Sequence, residues 1–326
     1  SHRKQLPKLN LALLCITFML VGYTPYVATI VRASANVPVN QGDPDTTFSL
    51  LNYLNREQYG TRPIIYGENF GSIATDYHER NTWIKQGNRY IESRLNPEVE
   101  YNKSTIGFFP RMHSNDAEHV EAYKNQFGFK GRKVFVRGED GTANETLVPT
   151  FSENLSFFLK YQLGYMYLRY FMWNFVGRQN DIQGNGDAVN GKWLSGIPFI
   201  DQMVAGPQKD LPSAAKANKG RNSYYFLPFL LGLAGLIFHY RFDQRNFLVT
   251  GLLFFLMSFA LVVYLNEVPN TPRERDYVYV GSFFVFCIWI AMGVLAIFSG
   301  LKKWVLERKA AVISIALGLL CSPILL

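Results

Sequence analysis

The residues best suited to chemistry in this sequence are cations set among amides and carboxylates. In MWNFVGRQNDIQG, Asn174, Arg178, Gln179, Asn180 and Asp181 fall where a helical pattern gives way to a Gly-flanked polar loop. An arginine fork matches phosphate oxygens, and Asn and Asp can hold hydroxyls or a metal, so the run reads as a headgroup site or as a capped helix end before a solvated loop. A second run, Pro272, Arg273, Glu274, Arg275, Asp276 and Tyr277, abuts an apolar stretch. Its charges can pair among themselves, yet Arg273 or Arg275 would also stand level with a phosphate at a membrane surface. Arg169 lies among Tyr165, Tyr167, Tyr170 and Trp173. A cation there needs a partner or an aqueous cavity, unless it snorkels to an interface.

Other candidates carry less. Asp43 and Asp45 sit among Asn, Pro and Gly, which makes a turn. His78, His113 and His119 show no HExxH or paired spacing, and no Ser-His-Asp order is present, so the sequence supports neither a metal site nor a triad. The three cysteines, Cys15, Cys287 and Cys321, all fall in apolar stretches and form no disulfide framework. Asn102, Asn144 and Asn154 head N-x-S/T sequons, which matter only in a secretory-pathway protein.

The elements that position these groups are apolar. Five stretches reach spanning length or approach it: 9–31, 223–238, 247–265, 277–299, and one from 310 to the chain end. The net charge of +8 sits in short loops. Arg3, Lys4 and Lys8 mark the first, Arg241 and Arg245 outweigh Asp243 in the second, and Lys302, Lys303, Arg308 and Lys309 outweigh Glu307 in the third. The loop 266–276 is net acidic. Basic loops are retained in the cytoplasm, so the excess is a topology signal, and nucleic acid is not an expected partner.

Segment 155–176, LSFFLKYQLGYMYLRYFMWNFV, is long and aromatic but carries Lys160, Gln162 and Arg169 without a single polar face. Were it to span, both later basic loops would fall outside, against the charge rule, so it is read as an in-plane or protein-buried helix. The expected architecture is a mainly α polytopic helix bundle of about five spans with a mixed α/β extracytoplasmic loop domain. Its parts are a cytoplasmic stub with the first span (1–31), an extracytoplasmic α/β domain (32–154), an interfacial helix with a polar loop (155–222), and four further spans (223–326). Within the loop domain the patterns predict a helix over 47–59 capped by Asp45 or Thr46, a helix over 115–126, short strands at 62–66, 105–109 and 133–136 and near Tyr90, and a turn at Gly138 to Gly141.

Three stretches carry a family resemblance: GYTPYVATIVRASANVPVNQGDPDTTFSLLNYLNREQYGTRP, YFMWNFVGRQNDIQG and PRERDYVYVGSFFVFCIWI. They resemble the large membrane proteins of Bacteroidetes-type bacteria assigned to glycosyltransferase family 117, relatives of the protein O-mannosyltransferases. The resemblance implies a GT-C architecture in the bacterial inner membrane, with the large loop in the periplasm. It also implies transfer of a hexose from a polyprenyl-phosphate donor to an acceptor, usually Ser or Thr of an exported protein. Membrane lipid and lipid-linked sugar are then the partners; no cofactor is called for, and a divalent-metal need stays open. In such enzymes the essential acid stands in the first outer loop near the N-terminus. This sequence opens on Ser1 and stops at Leu326 inside an apolar run, so it reads as a fragment lacking that acid. Mapped onto the matching stretches, Arg178, Asn180, Asp181, Arg273, Arg275 and Asp276 become the expected lining of the donor or acceptor cleft, and Arg169 and Asn174, singled out above from their surroundings, join them as candidate binding residues. The rival readings are a non-catalytic envelope scaffold and a transporter or flippase; the latter would want charges at mid-membrane depth, which the later spans lack.

Overall fold

A computed structural model gives the fold, describing residues 7–59, 62–137, 143–184, 186, 189–271 and 275–321. These form two compact units, one from Ser1–Arg62 with Ile73–Asn102, the other from Pro63–Ser72 with Lys103–Leu326. Among the described residues, three helices are long and apolar enough to cross a membrane: Pro7–Ser34, Gln244–Leu265 and Asp276–Leu301. Of the other two expected spans, Leu227–Phe242 is apolar but has only 16 residues, and Glu307–Cys321 has 15.

The first unit joins the Pro7–Ser34 helix to a long antiparallel ribbon. The helix shows its leucines and aromatics outward and buries only Ala33, as a lipid-facing span does. A turn at Asp43, with φ of 35°, leads to Thr46, which caps the Thr47–Leu54 helix in a box with Ser49. The ribbon nests one hairpin inside another. Ala74–His78 pairs with Glu98–Tyr101, and Asn81–Gln86 continues it by pairing with Arg89–Arg94 around Gly87. Most of its side chains are exposed. Support comes from the 47–54 helix: Phe48 meets the Tyr90 ring at 5.5 Å, and Asn52 bonds Thr82 at 3.2 Å. Arg80 adds a two-pronged grip on Glu57.

The second unit holds the remaining helices and a small mixed segment. Helices Leu227–Phe242 and Val280–Leu301 touch backbone to backbone, since a Cβ added at Gly235 would lie 1.7 Å from the Trp289 carbonyl oxygen. Small residues permit such close approach in membrane bundles. The ambiguous aromatic segment is one continuous helical rod, α-helical over Phe151–Phe157, π-helical over Phe158–Leu168 and α-helical again over Arg169–Phe175. Phe158, Tyr167, Phe171 and Phe175 pack with Val262, Val285, Phe286 and Trp289 in one core, so the rod is buried against the bundle. Gly164 suits the π turn, because a Cβ there would stand 2.9 Å from the Leu159 carbonyl oxygen.

The mixed segment differs in detail from the expected pattern. The helix runs Ala117–Asn125 behind an Asp116 cap, and the strand expected at 133–136 is Arg132–Arg137, paired with Ala143–Val148. The strands expected at 62–66 and 105–109 shrink to the Tyr66–Gly67 and Gly107–Phe108 pair. The expected turn at 138–141 lies outside the described residues. Met112, Tyr123, Phe157 and Tyr161 form a second core here.

Candidate functional site

The site grows from the π-helical stretch, in which Tyr161 and Tyr165 stack at 5.7 Å with ring planes 13° apart. Phe157 extends the stack behind Tyr161 at 5.2 Å, and Phe127 closes on Tyr161 edge-on at 5.3 Å. Against this platform lies a cavity of about 220 Å³, lined also by Lys160, Lys192, Asn270 and Thr271. Its volume falls below the roughly 300–1,000 Å³ of pockets for drug-sized ligands, which leaves room for a headgroup. Lys160 is exposed and Lys192 half-buried, and neither enters an ion pair among the described residues.

Hydrogen bonds fix the walls. The Tyr161 hydroxyl donates to the Val268 carbonyl at 3.2 Å, and the Tyr165 hydroxyl donates to the Gln183 carbonyl while accepting from the Gly186 N–H at 2.8 Å. Gln183 Nε2 reaches the Thr271 carbonyl at 3.4 Å. The polar loop that follows Asp181 is thus tied to Thr271 at this cavity.

Arg169 is 5% exposed and does not snorkel. Its guanidinium lies over the rings of Tyr165 at 4.0 Å, Tyr170 at 4.3 Å and Trp173 at 5.1 Å. It donates to the carbonyls of Tyr165, Gln183 and Gly191. Asn180 meets it there, since its Oδ1 accepts from the Gly191 N–H at 3.1 Å. Arg169 thus holds Gln183 and Gly191, and Asn180 holds Gly191. Arg178 donates through Nε to the Gly220 carbonyl, and Asn174 returns its amide to the Tyr170 carbonyl one turn back. Asp181 is exposed, as is Asp276, whose carboxylate accepts from the next N–H at Tyr277. Arg275 sits 3.5 Å from Glu267, and Arg273 lies outside the described residues.

Behind the cavity runs a buried polar seam that the sequence did not announce. Gln162 is 1% exposed and donates to Asn266 Oδ1 at 2.9 Å and to the Glu267 carbonyl at 2.7 Å. Asn266 takes a left-handed backbone, φ 42°, and its amide bonds the carbonyls of Pro63 and Pro110. Arg111 clamps the same helix end by donating to the Val263 and Ile64 carbonyls, with its guanidinium over the Phe109 ring. Burial pushes its pKa down to about 10, which still leaves it charged at neutral pH. Glu267 is 3% exposed, and neither carboxylate oxygen has a hydrogen-bond partner among the described residues. The Gln162 carbonyl oxygen and Thr271 hydroxyl are likewise unbonded there. Unmatched buried acceptors are uncommon in native folds and gather where a structure does something besides fold.

Asn154, one of the sequon residues, is 2% exposed; its Oδ1 accepts from the N–H groups of Arg111 and Met112. It is a packing residue. His78, set aside for want of spacing, does gain neighbours in space: Asp76 and Glu100 offer it carboxylates from the two strands of the ribbon.

Fold and site together are those of a helical membrane protein carrying a cationic, tyrosine-walled cup. Residues 60–159, less than a third of the chain, match a family of unknown function, DUF8416. No curated protein and no solved structure matches the chain.

Proposed function

We propose that this chain is part of a membrane glycosyltransferase that moves a hexose from a polyprenyl-phosphate donor onto a hydroxyl acceptor at the outer face of a bacterial inner membrane. The cup carries the reading: two lysines and a pair of stacked tyrosines share one headgroup-sized cavity. In the full reading the bundle has five spans, counting the two short helices, and the cavity faces the periplasm with the rest of the loop region. Lys160 and Lys192 then meet the phosphate, where fixed cations stabilise charge developing on a leaving group. The tyrosine faces supply a flat apolar wall for the C–H edges of a sugar, and the Asn270 amide offers a polar contact at the rim. A carboxylate must take the acceptor's proton.

Full-length protein reconstituted in vesicles with a radiolabelled polyprenyl-phosphate hexose and an exported acceptor tests this. Transfer that falls at least about tenfold in Lys160→Ala/Lys192→Ala supports the proposal. The absence of transfer by the wild-type protein, or transfer unchanged in the double variant, overturns it. The exposed ribbon favours the scaffold reading instead, and a stable envelope partner captured by the wild type without any transfer would select that.

A further inference from the structure

The ribbon holds a cluster that the proposed reaction does not use. Asp76 pairs directly across from Glu100, and His78 follows on the same face two residues along. Carboxylates facing each other across a ladder repel, and a two-stranded ribbon has little core with which to offset that repulsion. The register nevertheless shifts between Ala74 and Asp76, and irregularities of this kind re-aim a side chain. The Tyr77 N–H donates to Asp76 Oδ1 at 2.7 Å, which orients the carboxylate and leaves Oδ2 3.9 Å from His78 Nε2. Glu100 Oε2 lies 3.5 Å from the same nitrogen, and the three ligand atoms all fall within 4.8 Å of one another.

We propose that Asp76, His78 and Glu100 bind a divalent transition-metal ion of the zinc class, which staples the two outer strands of the ribbon. Metal–ligand distances of about 2.0–2.2 Å put two ligands of one ion no more than about 4.4 Å apart, so both measured separations to His78 already fit. Rotation of the exposed carboxylates closes the rest. One imidazole with two carboxylates suits zinc, whereas magnesium prefers oxygen ligands in a near-ideal octahedron. The ion would cancel the cross-strand repulsion, and water would complete its shell.

Calorimetric titration of tag-free full-length protein in detergent with zinc chloride tests the site. All three side chains are exposed, so His78→Ala and Asp76→Asn/Glu100→Gln keep the fold, which circular dichroism checks. The expected result is one equivalent of zinc bound by the wild type, at least about tenfold weaker binding in each variant, and no competition from magnesium chloride. Zinc should also slow protease cleavage within residues 74–101 of the wild type but not of His78→Ala. A wild type that binds no zinc, or variants that bind it as the wild type does, overturns the proposal; hexose transfer has no part in this readout.

Discussion

Two polar regions of the second unit border the same cavity and are built in opposite ways. Among the described residues from Thr150 to Gly191, polar groups other than the Gln162 carbonyl oxygen are largely paired: half-buried Glu153 accepts from Lys130, Gly131 and Thr150, Asn154 from Arg111 and Met112, and Arg169 donates to three carbonyls inside an aromatic cage. From Gln162 across to Glu267 and Thr271, acceptor atoms are buried without hydrogen-bond partners among the described residues. A saturated network specifies one geometry, and an unsaturated one costs stability that folding alone would not retain. The first region therefore reads as the frame and the second as the working edge. On this view Arg169, which looked from sequence like a ligand-binding cation, sets the position of the loop that carries Lys192.

The largest effect should come from breaking the frame. Arg169→Ala strips three carbonyls of a donor and empties an aromatic cage, and is expected to cost about 3 kcal/mol or more, read as thermal unfolding in detergent. Arg169→Lys should recover only part of that, because an ammonium lacks the planar fork. Next comes the cavity wall. Lys160→Ala/Lys192→Ala should leave stability within about 0.5 kcal/mol while weakening retention of a short-chain polyprenyl phosphate at least about tenfold. A double variant that unfolds instead would place both lysines in the frame and erase the contrast. Glu267→Gln comes third. It removes a buried charge that makes no hydrogen bond, and Arg275 is exposed enough to be rehydrated, so a change within about 1 kcal/mol is expected. A loss of about 3–5 kcal/mol would mean the ion pair is structural after all.

Three of the five expected apolar stretches were legible as helices of spanning length, because length and hydropathy are local properties. The turn at Asp43 and the Thr46 cap were legible in the sequence for the same reason. The aromatic rod resisted because its π-helical stretch winds by i→i+5, which moves each residue off the 100° step used to sort faces. Lys160, Tyr161 and Tyr165 border one cavity, and the periodicity gave no sign of it. The ribbon was largely missed: its strands alternate little, being exposed on both faces, and only the neighbourhood of Tyr90 stood out. Arg178 and Arg169 were noticed for being arginines, but carbonyls far along the chain, at Gly220 and Gly191, decide what they do, and no spacing rule reports that.

The smallest expected effect isolates the carboxylate of the frame. Burial would raise the Glu153 pKa, but N–H groups of Gly131, Thr150 and Lys130 and the Thr150 hydroxyl all donate to it, and the net displacement is downward. A carboxyl whose folded pKa lies below its unfolded value of 4.5 leaves the unfolded chain holding more protons between the two. Its contribution is therefore complete above the unfolded value and disappears as pH falls through the folded one. Glu153→Gln keeps a capping side chain at the same place, so stability near neutral pH should change by no more than about 1 kcal/mol, while the acid limb of the unfolding curve becomes shallower.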